Sequence, residues 1–298
     1  MHDSLTKFAW ALVCLLGLLH SRAEAQGREQ NLAQPIAEGL RVFSAGHSCH
    51  WFVPDWLRPM AKDAKIKGHF HDGQAIGYSR VITHWNVPDE KNKLKQALKA
   101  GRVDVLTLAP IYLPDEGIEK IAALALEHNP KIRITLQQGW LPFDLYDPTF
   151  TKKFKEVDRD ALSAEELRRR HAAYFESLDQ HVRELNKKFA KQVLFVVPAG
   201  QATLALREKI RLGKAPGLKS QGDLFHDSLG HTKPPLAALT SYCHFAVIYR
   251  RSSVGLPVPA LLKSADQPDG NAEMNRLLQE VAWDTVRQHP LSGLKVEN

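Results

Sequence analysis

Cysteine is scarce in this 298-residue chain: there are three, Cys14, Cys49 and Cys243. That excludes a small disulfide-stapled scaffold, and no Cys/His spacing of a zinc finger is present. Long basic runs and RNA-binding signatures are also missing, so the net charge of +7, spread along the chain, does not point to nucleic acid. After residue 19 no apolar stretch approaches membrane-spanning length, which argues against stable membrane insertion. No internal repeat, low-complexity tract or long linker divides the remainder. With 44% apolar and 24% charged residues, the composition is that of an ordinary globular protein.

The first 25 residues read as an address. Lys7 precedes the apolar run Phe8 to Leu19, and Ala23-Glu24-Ala25 supplies small residues where a signal peptidase reads them. Twelve residues span only about 18 Å as a helix, too short for a bilayer. The expectation is a secretory signal peptide cleaved between Ala25 and Gln26, and a secreted or periplasmic product. Of the two cysteines left, Cys49 and Cys243, two free thiols are favoured over a disulfide.

Residues 26–298 then alternate short apolar runs with amphipathic ones. Strands are expected at Arg41–Gly46, Val103–Leu108, Lys131–Leu136 and Gln192–Val197, with a weaker one at Ile66–His71. Helices are expected over Asp115–Glu127, from a capping box at Ser163 onward, and over Ala202–Leu212, Pro234–Arg250 and Asn271–His289. Strands separated by helices imply crossovers, a mainly parallel sheet and a three-layer α/β/α sandwich. The whole reads as one domain, with residues 252–298 as a helical tail that ends in a packing helix.

In open parallel sheets ligands bind beyond the carboxyl ends of the strands. The first strand runs into Gly46-His47-Ser48, which can hold a serine at that mouth. Near the other end, His226-Asp227-Ser228-Leu229-Gly230-His231-Thr232 supplies an Asp four residues before a His, ahead of a helix that Thr232 could cap. The G-x-S-x-G elbow of α/β-hydrolases is not matched, because His50 stands where its second glycine would be.

With a G-x-S after the first strand and D…H before a late helix, the chain resembles the SGNH, or GDSL-like, hydrolases. The likeness covers most of residues 26–298 and is nearest to a branch that writes G-x-S for G-D-S. It implies a flavodoxin-like sheet and an esterase needing no cofactor, acting on a small-molecule or carbohydrate ester. Ser48 would be the nucleophile, His231 the general base and Asp227 its orienter. The amides of Ser48 and of Gly77, in Gly77-Tyr78-Ser79, would form part of the oxyanion hole. His226 with Asp223 has the family's usual spacing and stands as an alternative base pair. His47 replaces the family's Asp, and the loop Ala109-Pro110-Ile111-Tyr112 lacks the family's Asn donor, for which Gln137 or Gln138 is a substitute. Two other readings remain open: a non-catalytic glycan- or ligand-binding protein on this fold, and a metal-assisted hydrolase using histidines such as His69 and His71. Trp51, Trp56, Trp85 and Trp140 are candidates for an aromatic wall at the mouth.

Overall fold

A computed structural model describes residues 33–147, 149, 156–263 and 270–295. The expected leader and its cleavage point lie outside the described residues. Five parallel strands form the sheet: β1 (Arg41–Gly46), β2 (Phe70–Ala75), β3 (Val105–Leu108), β4 (Arg133–Gln137) and β5 (Leu194–Val197), in the order β2-β1-β3-β4-β5. This is the flavodoxin-like order, whose connections diverge between β1 and β3 and leave a crevice there.

Among the described residues eight α-helices cover the sheet: α1 (Val53–Asp63), α2 (Val81–Trp85), α3 (Lys93–Lys99), α4 (Glu116–His128), α5 (Ala164–Lys188), α6 (Ala199–Arg211), α7 (Pro234–Tyr249) and α8 (Ala272–Gln288). Buried residues of α1, α6, α7 and α8 pack with Val42 and Val105 on one sheet face. Those of α2 to α5 pack with Phe43, Leu106, Ile134 and Val196 on the other. Alternate strand residues thus serve opposite layers, and the expected three-layer sandwich is what the chain forms. The stretch expected as a tail supplies α8, which packs closely on α7 as part of the core. Among the described residues no helix is long and apolar enough to cross a membrane.

Local sequence accounts for most boundaries. The Ser163 hydroxyl accepts the Glu166 amide at 3.1 Å and starts α5. The reciprocal half of the expected box is missing, because the Glu166 carboxylate binds Arg169 and Arg170 instead. Thr232 does not cap α7: the cap position is Lys233, Pro234 begins the helix, and Thr232 bridges to Phe225. The weak strand is shifted to Phe70–Ala75, because Gly68 takes φ +82° just before it and breaks the extended run.

The layer between the sheet and α7 is polar. Ser44, Thr107 and Thr135 are neighbours in register across β1, β3 and β4, all buried. Ser44 Oγ meets His71 Nε2 at 2.7 Å. Gln137, at the end of β4, accepts on Oε1 from His50 Nδ1 at 2.8 Å and from His244 Nε2 at 2.9 Å. Its Nε2 donates to the Cys49 carbonyl at 3.0 Å. One buried amide therefore ties α7, β4 and the turn after β1 together.

Burial makes an imidazolium costly here and holds these rings neutral. In this layer His50 is pushed down to about 4 and His71 to about 2, and His244 lies well below the usual range; His84, in α2 and outside the layer, is pushed down to about 4. An unfolded chain protonates its histidines near pH 6.5, so between there and about pH 4 it takes up protons that the native state refuses. Native stability is complete above that window and is lost as pH falls through it. Urea unfolding at pH 7, 6, 5 and 4 should show a free energy declining by more than the roughly 1.4 kcal/mol per pH unit of a single proton. A flat profile from 7 to 4 would contradict this neutral buried layer.

Candidate functional site

The strand β1 ends at Gly46, and a tight turn follows in which the His50 and Trp51 amides both donate to the His47 carbonyl, at 2.8 and 3.0 Å. Ser48 sits in that turn, half-buried. A Cβ at Gly46 would stand 2.7 Å from the His50 ring, so glycine is required for the turn to fold back onto the strand.

The loop before α7 brings the second half. Phe225 and Thr232 pair as an antiparallel bridge, and His226 N donates to the His231 carbonyl at 2.8 Å. Inside this loop the Asp227 carboxylate accepts from the Gly230 amide at 2.9 Å, the His231 amide at 3.1 Å and His231 Nδ1 at 2.5 Å. The Nδ1 proton is thus committed to Asp227, leaving the Nε2 lone pair to face Ser48 Oγ at 2.8 Å. Burial alone would raise the Asp227 carboxyl, but the hydrogen bonds from the His231 ring and the two amides outweigh it and hold the group below its usual range.

Several groups remote in sequence hold the loop. Trp140 Nε1 donates to the Gly230 carbonyl at 2.9 Å. Arg159 donates to the carbonyls of Asp227, at 3.3 Å, and Ser228, at 2.8 Å, and stacks on the Phe225 ring at 3.8 Å. Asp144 bridges Arg159 to Arg207, which it meets through two bonds of 2.7 and 2.9 Å. All three charged side chains are buried, and despite that burial the two guanidinium groups keep the Asp144 carboxyl below its usual range. None of the three is signalled in the sequence, because each lies on a different segment and only folding brings them together.

The alternative base pair does not assemble. Asp223 instead caps the short 3-10 helix Gln221–Leu224, accepting from Ser220 and Lys219 amides, and the His226 side chain is exposed. The two glutamines expected as substitute side-chain donors differ in placement. Gln137 lines the pocket, with its Oε1 taken by His50 and His244 and one N–H of its Nε2 by the Cys49 carbonyl. Gln138 is fully buried with no hydrogen-bond partner for its amide. Gly77 lies in the exposed turn after β2, and its neighbour Tyr78, at φ +54°, lines the pocket.

Two further Ser–His pairs lack a carboxylate. Ser79 Oγ lies 2.8 Å from His84 Nε2, but Gln74 Nε2 donates to His84 Nδ1 at 3.2 Å, so Nε2 carries the proton and the ring is no base toward Ser79. Ser44 and His71 are buried in the core. Cys49 and Cys243 are both free thiols. Among the described residues no group of three or more His, Cys, Asp or Glu side chains converges to hold a metal; His69 and His71 bond to Tyr249 and Ser44. Of the four tryptophans, Trp56 and Trp140 are buried and Trp51 is the exposed one, at 52%. The pocket beside Ser48 measures about 50 Å³ and is walled by Pro110 and Ile111 after β3, Trp140 and Pro142 after β4, and Leu229.

Gly230 adopts φ +104°, and a Cβ there would lie 2.7 Å from Trp140 Nε1. Gly230→Ala should lower the unfolding free energy by about 1–3 kcal/mol in urea titrations, from backbone strain and the displaced indole. Unchanged stability would show that the loop has room to relax.

No protein-family model and no curated protein matches the chain. Solved structures do. A DUF4886 family protein from Bacteroides uniformis aligns over 86% of this chain and 100% of its own, at 13% identity and a TM-score of 0.55. A putative transcriptional regulator from Clostridium difficile aligns over 83% and 77%, at 11% identity and a TM-score of 0.28, too low to carry an argument. The first likeness supports the architecture: this chain is a three-layer α/β/α sandwich on a parallel sheet.

Proposed function

We propose that the protein is a serine hydrolase that cleaves esters by acyl transfer, of the SGNH type that its sequence resembles. The observation that carries this reading is the chain of hydrogen bonds from Ser48 Oγ through His231 to Asp227, at 2.8 and 2.5 Å, with the imidazole held in the tautomer a general base needs. In the proposed course Ser48 Oγ attacks the ester carbonyl while His231 Nε2 takes its proton, and Asp227 stabilises the resulting imidazolium. The oxyanion is met by the amides of Ser48 and Gly77. Collapse expels the alcohol, which receives the proton from His231. Water, deprotonated by the same ring, then attacks the acyl-enzyme, and the acid leaves as Ser48 recovers its proton.

The pocket beside Ser48 is walled by Pro110, Ile111, Trp140, Pro142 and Leu229, an apolar lining that suits the acyl chain of an ester. We place the enzyme outside the cytoplasm, on the expectation for residues 1–25, with the O-acyl group of a carbohydrate as the substrate class.

A fluorophosphonate probe should label the wild-type protein at Ser48 and fail to label Ser48→Ala. The same substitution should lower kcat on p-nitrophenyl acetate by at least about a thousandfold. Labelling that survives in Ser48→Ala removes Ser48 from the role. A wild-type protein inert to both reagents would instead carry the non-catalytic binding reading.

A further inference from the structure

An acyl-transfer site needs hydrogen-bond donors aimed where the carbonyl oxygen gains charge. Most polar groups lining the pocket beside Ser48 are already engaged. The Gln137 amide is fixed by the core on its Oε1 and through one N–H of its Nε2, and Trp140 Nε1 serves the Gly230 carbonyl. The Tyr174 hydroxyl donates to the Pro110 carbonyl and accepts the Gly139 amide. The Cys49 amide donates to His47 Nδ1 at 3.3 Å. Tyr78 is 69% exposed, with its side chain at the rim.

His47 is different. It lines the same pocket, next to Ser48, and is only half-buried. Because Nδ1 accepts the Cys49 amide, that nitrogen carries no proton, and a neutral ring must carry its proton on Nε2. No hydrogen bond engages that Nε2–H among the described residues. The Ser48 amide is likewise without a partner there.

We propose that His47 Nε2–H is a catalytic donor, binding the carbonyl oxygen of the ester together with the Ser48 amide. This rests on the hydrolase reading above and adds to it a side-chain donor where no asparagine is available. Neutrality is consistent with that role. Burial, together with His50, His84 and His231 nearby, pushes His47 down to about 3, so the ring does not gain a charge in the range where His231 must act as base. A neutral donor polarises the carbonyl without opposing the imidazolium that forms at His231.

The test compares donors with non-donors of similar size. His47→Leu and His47→Met remove the N–H, whereas His47→Gln and His47→Asn keep one. In steady-state hydrolysis of p-nitrophenyl acetate, the donorless pair should lose about 100-fold in kcat with KM changed by less than about threefold. At least one of the amide variants should recover to within about tenfold of wild type, with the acid limb of the pH–rate profile unmoved. Melting curves identify the variants that keep the fold. A donorless variant within threefold of wild type overturns the proposal, as does an equal loss in folded donor and non-donor variants. Wild-type protein that never reacts with a fluorophosphonate fails at the earlier step, since it removes the hydrolase reading before His47 is considered.

Discussion

One imidazole must meet a hydroxyl that the chain delivers 183 residues earlier, and the rest of the site depends on that meeting. A loop between Phe225 and Thr232 has no core of its own to hold it. Its position comes instead from donors that seize its carbonyls: Trp140 on Gly230, and Arg159 on Asp227 and Ser228. Arg159 is itself fixed by Asp144 and Phe225, and Asp144 by Arg207. Burying two guanidinium groups around one carboxylate is a poor source of net stability, because desolvation offsets most of the attraction. Its evident consequence here is directional: a planar guanidinium with fixed N–H vectors leaves the loop little freedom to carry His231 away from Ser48.

The Ser48 side of the contact is held by the opposite means, through neutral groups. Gln137 reaches the Cys49 carbonyl from the end of β4 and is itself gripped by His50 and His244. Ordinary apolar packing would suffice to bury the sheet, yet a polar row runs along this face from Ser44 to Thr135. Such a layer gives a specific register between strand ends and α7, at the cost of making the fold sensitive to any charge placed within it.

The sequence made one half of this legible. Continuous apolar runs are what strands buried on both faces require, so β1 read correctly to the residue and β3, β4 and β5 to within two. β2 was displaced because it is an edge strand, FHDGQA, with polar residues and little apolar pattern. Helices α1, α2 and α3 were not expected: α1 carries Pro54 and Pro59, and the other two have five and seven residues, too few to show a period. Ser48, Asp227 and His231 were readable because each follows a local rule, a turn after a strand or an Asp near a His. Arg159, Asp144 and Arg207 follow none, since ion-pair partners separated by 15 and 63 residues leave no local spacing to detect.

The neighbour of Ser48 raises a chemical question that the geometry answers. Cys49 borders the same pocket, and a thiolate is intrinsically the stronger nucleophile. Its thiol is the weaker candidate because burial, reinforced by the Asp227 charge, pushes it up to about 12 and keeps it protonated. No basic nitrogen is aimed at it either: Sγ lies 3.8 Å from the Gly230 carbonyl, which accepts a proton bond but does not remove the proton. His231 Nε2, the one imidazole nitrogen here backed by a carboxylate, points at the Ser48 hydroxyl instead. In the proposed hydrolase, the choice of nucleophile between adjacent residues would therefore be made by which side chain His231 can reach, and not by the intrinsic reactivity of the atom.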